Sequence, residues 1–521
     1  MARRAQPVTL IQATGGVFIL LVVLAILGPL IAVMLRAETV GRLSDADWAA
    51  IEFTIIQASL SALVSCLAAI PVARALARRR FWGRSALVAL MGAPFILPVI
   101  VAVLGLLAIF GRSGWLNIGL AAIGLGGVEI YGLFGVVLAH VFLNLPLATR
   151  LILQSWLSLP AERIRLAHSL NFTDTDMRRH FERPLLAATL PGAFMVIFLI
   201  CTTSFAVALT LGGGPRATTI ELAIYQAFRF EFDLGRAAML GMVQVAICLA
   251  AGGLAWIFAA RGGFGGGLDR PAMAWPGDTF RSRLVDRSAL GVAAAFLLLP
   301  LVAVTAEGVG AIAGLPNSTW VAAVRSIAVA LGSTALSVAL ALPIALFIAA
   351  RAARAGLEGV GLLSIAVSPL VIGTGLFLIV FPIANPVSLS LPITGLVNAL
   401  VALPFLLRAL IPAVEQAEAT QGRLADALGI TGLARLRFAI LPRLHRPLGF
   451  GAGLAAAFSM GDLGVIALFS APGQETLPLE MYRLFGSYRT NDAQGAAVLL
   501  MALSLGLFWL FDRGGRVNAE A

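Results

Sequence analysis

The chain has 521 residues, of which 60% are hydrophobic and only 12% charged, with a formal net charge of +11. Its apolar residues fall in runs of about 20, the length that crosses a hydrocarbon core, which excludes a soluble globular enzyme and points to a polytopic membrane protein. The positive charge does not imply nucleic acid: all 37 basic residues are Arg, and arginine collects at the inner face of an anionic membrane.

Six spans are predicted in the first half, at 15–35, 53–75, 85–110, 130–157, 186–211 and 236–260. Six more follow at 288–312, 324–349, 357–381, 391–412, 447–470 and 490–511. No small-residue cleavage site follows the first, which is therefore expected to be a retained helix and not a signal peptide. With the N-terminus inside, 28 of the 37 Arg lie in or beside cytoplasmic segments, so both termini are expected in the cytoplasm. Cys66, Cys201 and Cys248 each fall in a predicted span with no metal-ligand spacing, and read as small apolar packing residues.

Between the fourth and fifth spans stands a polar stretch, RLAHSLNFTDTDMRRHFERP, from Arg165 to Pro184. Its pattern returns at a shift of 258 as RLADALGITGLARLRFAILP, from Arg423 to Pro442. The same shift carries Leu145, Pro146 and Arg150 onto Leu403, Pro404 and Arg408, while Pro71 pairs with Pro343 at a shift of 272. The chain is thus an all-α membrane protein of about twelve helices built from two repeats, 1–260 and 288–521, joined by a Gly- and Pro-rich linker at 261–287. Six spans per repeat is an even number, so the repeats are parallel, and both polar loops, about 158–185 and 415–443, emerge on the cytoplasmic side.

Each loop has a simple local chemistry. Leu424 and Leu428 are an i, i+4 apolar pair on one helix face. Gly429 then permits a positive φ that stops the helix, and Asn171 takes the same place in the first copy. A second short helix follows in each, which Pro442 is expected to end. The result is a helix, a tight turn and another helix, duplicated for a symmetric partner.

The segments at 212–235 and 471–489, on the opposite side, join aromatics to charges in YQAFRFEFD and YRLFGSYRTND. Read as loops, they suit either a membrane-surface helix or a rim that receives a soluble partner, and the rim is favoured. Asp462, in SMGDLG, is the clearest charge inside a span, and the shift of 258 places it opposite Ser204. Intramembrane charges are functional candidates by default, so this pair is expected to line a translocation pathway. The four His are scattered, and His140 reads as a helix-to-helix hydrogen-bonding residue. No catalytic group and no metal site can be assembled from these residues. With no Lys, the chain also lacks the residue a phosphate-binding P-loop requires.

The loops resemble the cytoplasmic signature of the permease subunits of binding-protein-dependent ABC importers: EAA, three residues, G, and LP about a dozen residues on. Arg165, Ala167, Asn171 and Pro184 in the first copy, and Arg423, Ala425, Gly429 and Pro442 in the second, occupy its positions. Arg stands where the signature has Glu, and Asn171 where it has Gly. Beyond the loops, ARALARRRF, GRSGWL, AHVFLNLPLATRL, GGGPRATTIELAIYQAF, SMGDLGVIALF and LPLEMYRLFGSYRTNDA are similar to the fused permeases for thiamine and thiamine diphosphate, over nearly the whole chain. The resemblance implies a type I, MetI-like permease in the bacterial inner membrane, without cofactor. It implies two ATP-binding subunits docked on the loops and a periplasmic thiamine-binding protein above. A carboxylate at 462 would suit a thiazolium cation. An iron(III) or polyamine permease shares this architecture, and an ion-coupled secondary transporter is the alternative of another class.

Overall fold

The computed structural model describes residues 10–37, 43–92, 96–212, 214, 217–258, 279–350, 367–471 and 473–520, and no strand occurs among them. Among the described residues, eleven segments are long and apolar enough to cross a membrane. The first part of the ninth predicted span, 357–381, lies outside the described residues, and its remainder holds a short apolar helix, Pro369–Val380.

The first half contains α1 (Leu10–Ala37), α2 (Asp45–Arg78), α3 (Arg84–Leu90), α4 (Val99–Phe110), α5 (Trp115–Ala122), α6 (Leu133–Leu157) and α7 (Ala161–Ser169). It continues with α8 (Asp174–Thr202), α9 (Phe205–Leu211), α10 (Ile220–Arg229) and α11 (Leu234–Phe258). The second half contains α12 (Phe280–Gly308), α13 (Asn317–Ala349), α14 (Pro369–Val380), α15 (Ser390–Ala427), α16 from Gly432 to Met460, α17 (Gly464–Phe469), α18 (Leu477–Gly486) and α19 (Thr490–Glu520).

Three predicted spans are broken. The run at 85–110 divides into α3 and α4, with Pro98 as the N-cap of α4. The runs at 186–211 and 447–470 each divide near their ends, at Ser204 and Asp462. The linker also differs from expectation. Residues 261–278 lie outside the described residues, but α12 starts inside the predicted linker, at Phe280, where Thr279 Oγ1 accepts from the Ser282 N–H at 3.2 Å.

Each half lends its first helix to the other. α1 packs on α13 and α14, and α12 packs on α2 and α4. The two crossings use the same device, a glycine facing a proline carbonyl. A Cβ on Gly105 would lie 2.6 Å from the Pro300 oxygen, and one on Gly375 would lie 2.2 Å from the Pro29 oxygen. Only glycine lets these backbones approach so closely.

Small residues play the same part on the central helices. Ala58, Ala62, Ala69 and Ala73 of α2 are fully buried, and so are Ala330 and Ala341 of α13, the repeat counterparts of Ala58 and Ala69 in the register that pairs Pro71 with Pro343. The repeat extends to single hydrogen bonds. The Ile220 N–H that opens α10 donates to Thr54 Oγ1 at 2.9 Å, and the Leu477 N–H that opens α18 donates to Ser326 Oγ at 2.8 Å. Thr54 and Ser326 are counterparts in that same register.

Candidate functional site

The two candidate docking loops have one backbone design. Asn171 has φ 52° and Gly429 φ 64°, the left-handed positions expected from their sequence. In each loop the residue after the turn reaches back across it: the Phe172 N–H donates to the Ala167 carbonyl at 3.0 Å, and the Ile430 N–H to the Ala425 carbonyl at 2.8 Å. This 6→1 bond closes a Schellman motif. It explains why Ala167 and Ala425 are small: both are buried beneath the turn. Arg165 and Arg423 are exposed, and Arg165 pairs with Glu162 at 3.2 Å.

The prolines behave differently from expectation. Pro442 does not end the second helix, nor does Pro184; both stand near the start of long helical segments that continue into the membrane spans. Immediately before them lie two π-turns, Arg178–Glu182 and Leu436–Ile440, which occupy equivalent places in the two repeats. A π-turn inserts one residue into the ladder and locally breaks the i→i−4 pattern, so a residue without an N–H is accommodated there.

The candidate docking helices present apolar side chains outward. Leu166 and Leu170, on and just after α7, are each 59% exposed, and their counterparts Leu424 and Leu428, on and just after α15, are 61% and 64% exposed. Matching i, i+4 leucine pairs are thus left open on both copies.

Ser204 and Asp462 both lie at helix breaks. Asp462 Oδ1 accepts from the Gly464 N–H at 3.2 Å, at the start of α17, while Oδ2 is buried without a hydrogen-bond partner. Ser204 is the N-cap residue of α9 but its side chain makes no capping bond. The structure brings the two breaks together. A Cβ on Gly464 would lie 3.6 Å from Phe205, the residue after Ser204, and 3.3 Å from Leu370 of α14. Aromatic rings from both halves cluster beyond the breaks, with Phe228 4.7 Å from Phe377 and Phe377 6.0 Å from Phe469. Tyr225 stands edge-on to Phe205 at 5.1 Å.

No protein-family model matches the chain. Individual curated proteins do. It is 40% identical to the thiamine transport system permease protein ThiP of Salmonella typhimurium over 485 residues, covering 89% of each chain. The Escherichia coli protein of the same name is 39% identical over the same shares, and that of Brucella abortus 37% identical over 99% of this chain and 97% of its own. The chain belongs to the ThiP family of permeases.

As a ThiP-family permease it has polar residues near the first break that sequence reasoning missed. Gln57 Nε2 donates to the Cys201 carbonyl at 3.0 Å and Gln244 Nε2 to the Thr202 carbonyl at 2.9 Å, which satisfies the open end of α8. Gln244 also reaches Glu221 at 3.2 Å, and Glu221 is fully buried beside Ser368 of the second half. Burial pushes the Glu221 carboxyl up to about 8. Glu221 escaped notice because it falls in a segment read as a loop, where an acid carries no signal. That segment and its counterpart are the helices α10 and α18, whose apolar faces are packed into the protein itself. His140 sits where expected between helices, with Nδ1 3.3 Å from Ser61 Oγ.

Proposed function

We propose that this multi-pass inner-membrane protein is the permease subunit of an ATP-driven ABC importer that carries thiamine, or a thiamine phosphate, from a periplasmic binding protein to the cytoplasm. The first repeat is 1–260 and the second 288–521, both termini face the cytoplasm, and one ATP-binding subunit docks on each loop. The binding protein meets the opposite side, where Phe230, Phe232 and Tyr488 are exposed beside α10 and α18. The observation that carries the reading is the pair of docking loops, alike in turn, π-bend and exposed leucines. The names of the relatives supply the substrate.

In this reading Ser204 and Asp462 line the pathway at the two adjoining breaks. A carboxylate there attracts a passing thiazolium cation, and the aromatic rings offer it cation–π contact. ATP hydrolysis belongs to the separate subunits.

Gly429→Val tests the docking assignment. At φ 64° a β-branched residue is strained by about 1–2 kcal/mol, although no neighbour obstructs its Cβ. Co-purification of the ATP-binding subunit is expected to fall, whereas Asn171→Gly is expected to leave it intact. Full retention of the motor and of transport by the Val variant would refute the assignment.

A further inference from the structure

The two docking loops share a backbone but not their attachment to the membrane helices. In the first half, α6 ends at Leu157 and Pro160 precedes the start of α7, so the docking helix is cut from the span that delivers it. Proline lacks the N–H that would continue the helix, and it biases the preceding residue away from helical angles. The loop is tied instead to α2. Arg74 Nε donates to Glu182 Oε1 at 2.8 Å, Arg74 Nη2 to Asp174 Oδ1 at 2.8 Å, and Arg78 Nη1 to the same Asp174 oxygen at 3.0 Å. Arg74, Arg78 and Glu182 are all buried.

The second half reverses both features. Glu418 is the repeat counterpart of Pro160, and α15, which carries Pro404 and Pro412 within it, continues as one helix from Ser390 through Glu418 to Ala427. Glu418 also accepts from Arg435 Nε at 3.2 Å, across the turn. The counterparts of the ion-pairing residues cannot form such pairs: Arg74 and Arg78 correspond to Leu346 and Ala350, and Asp174 and Glu182 to Gly432 and Ile440. Leu346 and Ile440 both belong to one buried apolar core, which offers no directional bonds.

We infer that movement of the motor enters the two halves along different helices: from the first loop through the Arg74 and Arg78 ion pairs into α2, and from the second along the continuous α15. Each half has one stiff link and lacks the other. A buried guanidinium held by two carboxylates fixes distance and direction, whereas an apolar contact permits sliding. This inference rests on the docking reading above.

The test uses the whole importer, permease with ATP-binding subunits and binding protein, reconstituted in liposomes. Thiamine carried per ATP hydrolysed is measured together with retention of the motor. Arg74→Leu with Glu182→Ile writes the second half's apolar residues into the first. It is expected to lower the ratio about fivefold or more, the lower end of coupling between sites, while the motor stays bound. Glu418→Pro writes the first half's break into α15 and is expected to lower the ratio to a similar extent. An undiminished ratio in either variant, with the motor retained, overturns the inference. Arg74→Lys keeps the charge without the paired bonds and covers poor assembly of the double variant; it too must lower the ratio, and a normal ratio overturns the inference. Leu166→Glu and Leu424→Glu separate this from the docking reading. If both keep the motor bound, the docking reading is what fails.

Discussion

Gly105→Val and Gly375→Val are each expected to remove most of the assembled protein from the membrane. The reason lies in the two crossings where each half's first helix meets the other half. The added Cβ would meet a backbone oxygen, at 2.6 Å on Pro300 for Gly105 and at 2.2 Å on Pro29 for Gly375. A flexible side chain could rotate aside, but a helix carbonyl cannot. The helices must separate along their length, which forfeits packing around the crossing and costs about 3 kcal/mol, the upper end for overpacking. Marginal proteins lose most of their folded population for less. Gly→Ala at the same positions should show a smaller loss in the same direction. Yield of folded protein in detergent and its thermal midpoint are the measurements, and normal values for the Val variants would mean that the halves do not interlock in this way.

Asp462→Asn is expected to slow thiamine transport about tenfold, or ~1.4 kcal/mol in the barrier, with assembly and most ATP turnover intact. The structure makes this substitution more discriminating than it looks from sequence. In the proposed reading Asp462 has two roles: Oδ1 accepts from the Gly464 N–H at the start of α17, and its charge faces the passing cation. Asn offers the same acceptor, so it preserves the first role and deletes the second. Asp462→Ala deletes both and should also lower yield. If Asn transports normally and Ala alone is impaired, Asp462 is only a local hydrogen-bond acceptor, and the pathway assignment fails for that residue.

The turns of the two repeated loops were legible at Asn171 and Gly429 because their constraint is local: a left-handed turn favours Gly or Asn, and duplication displayed that demand twice. The spans were legible because a bilayer imposes a length of apolar chain. What stayed hidden is nonlocal. The breaks at Ser204 and Asp462 lie inside apolar runs whose hydropathy does not change when a helix bends. The proline at 442 suggested a helix end because nothing local announces a π-turn. Arg74 and Asp174 are 100 residues apart in sequence, and nothing in either segment names the other as its partner. The exchange of α1 and α12 between halves had one hint, in Pro29 and Pro300, which match each other in nearly the register that pairs Pro71 with Pro343. A proline in each first helix says nothing by itself about which half that helix packs on.

The most direct measurement is uptake of labelled thiamine into liposomes holding the complete importer, with ATP supplied on the side of the docking loops and the binding protein on the other. Accumulation is predicted only when hydrolysable ATP and the loaded binding protein are both present, and it should persist when ion gradients are collapsed. Accumulation driven by a proton or sodium gradient without ATP would contradict the account.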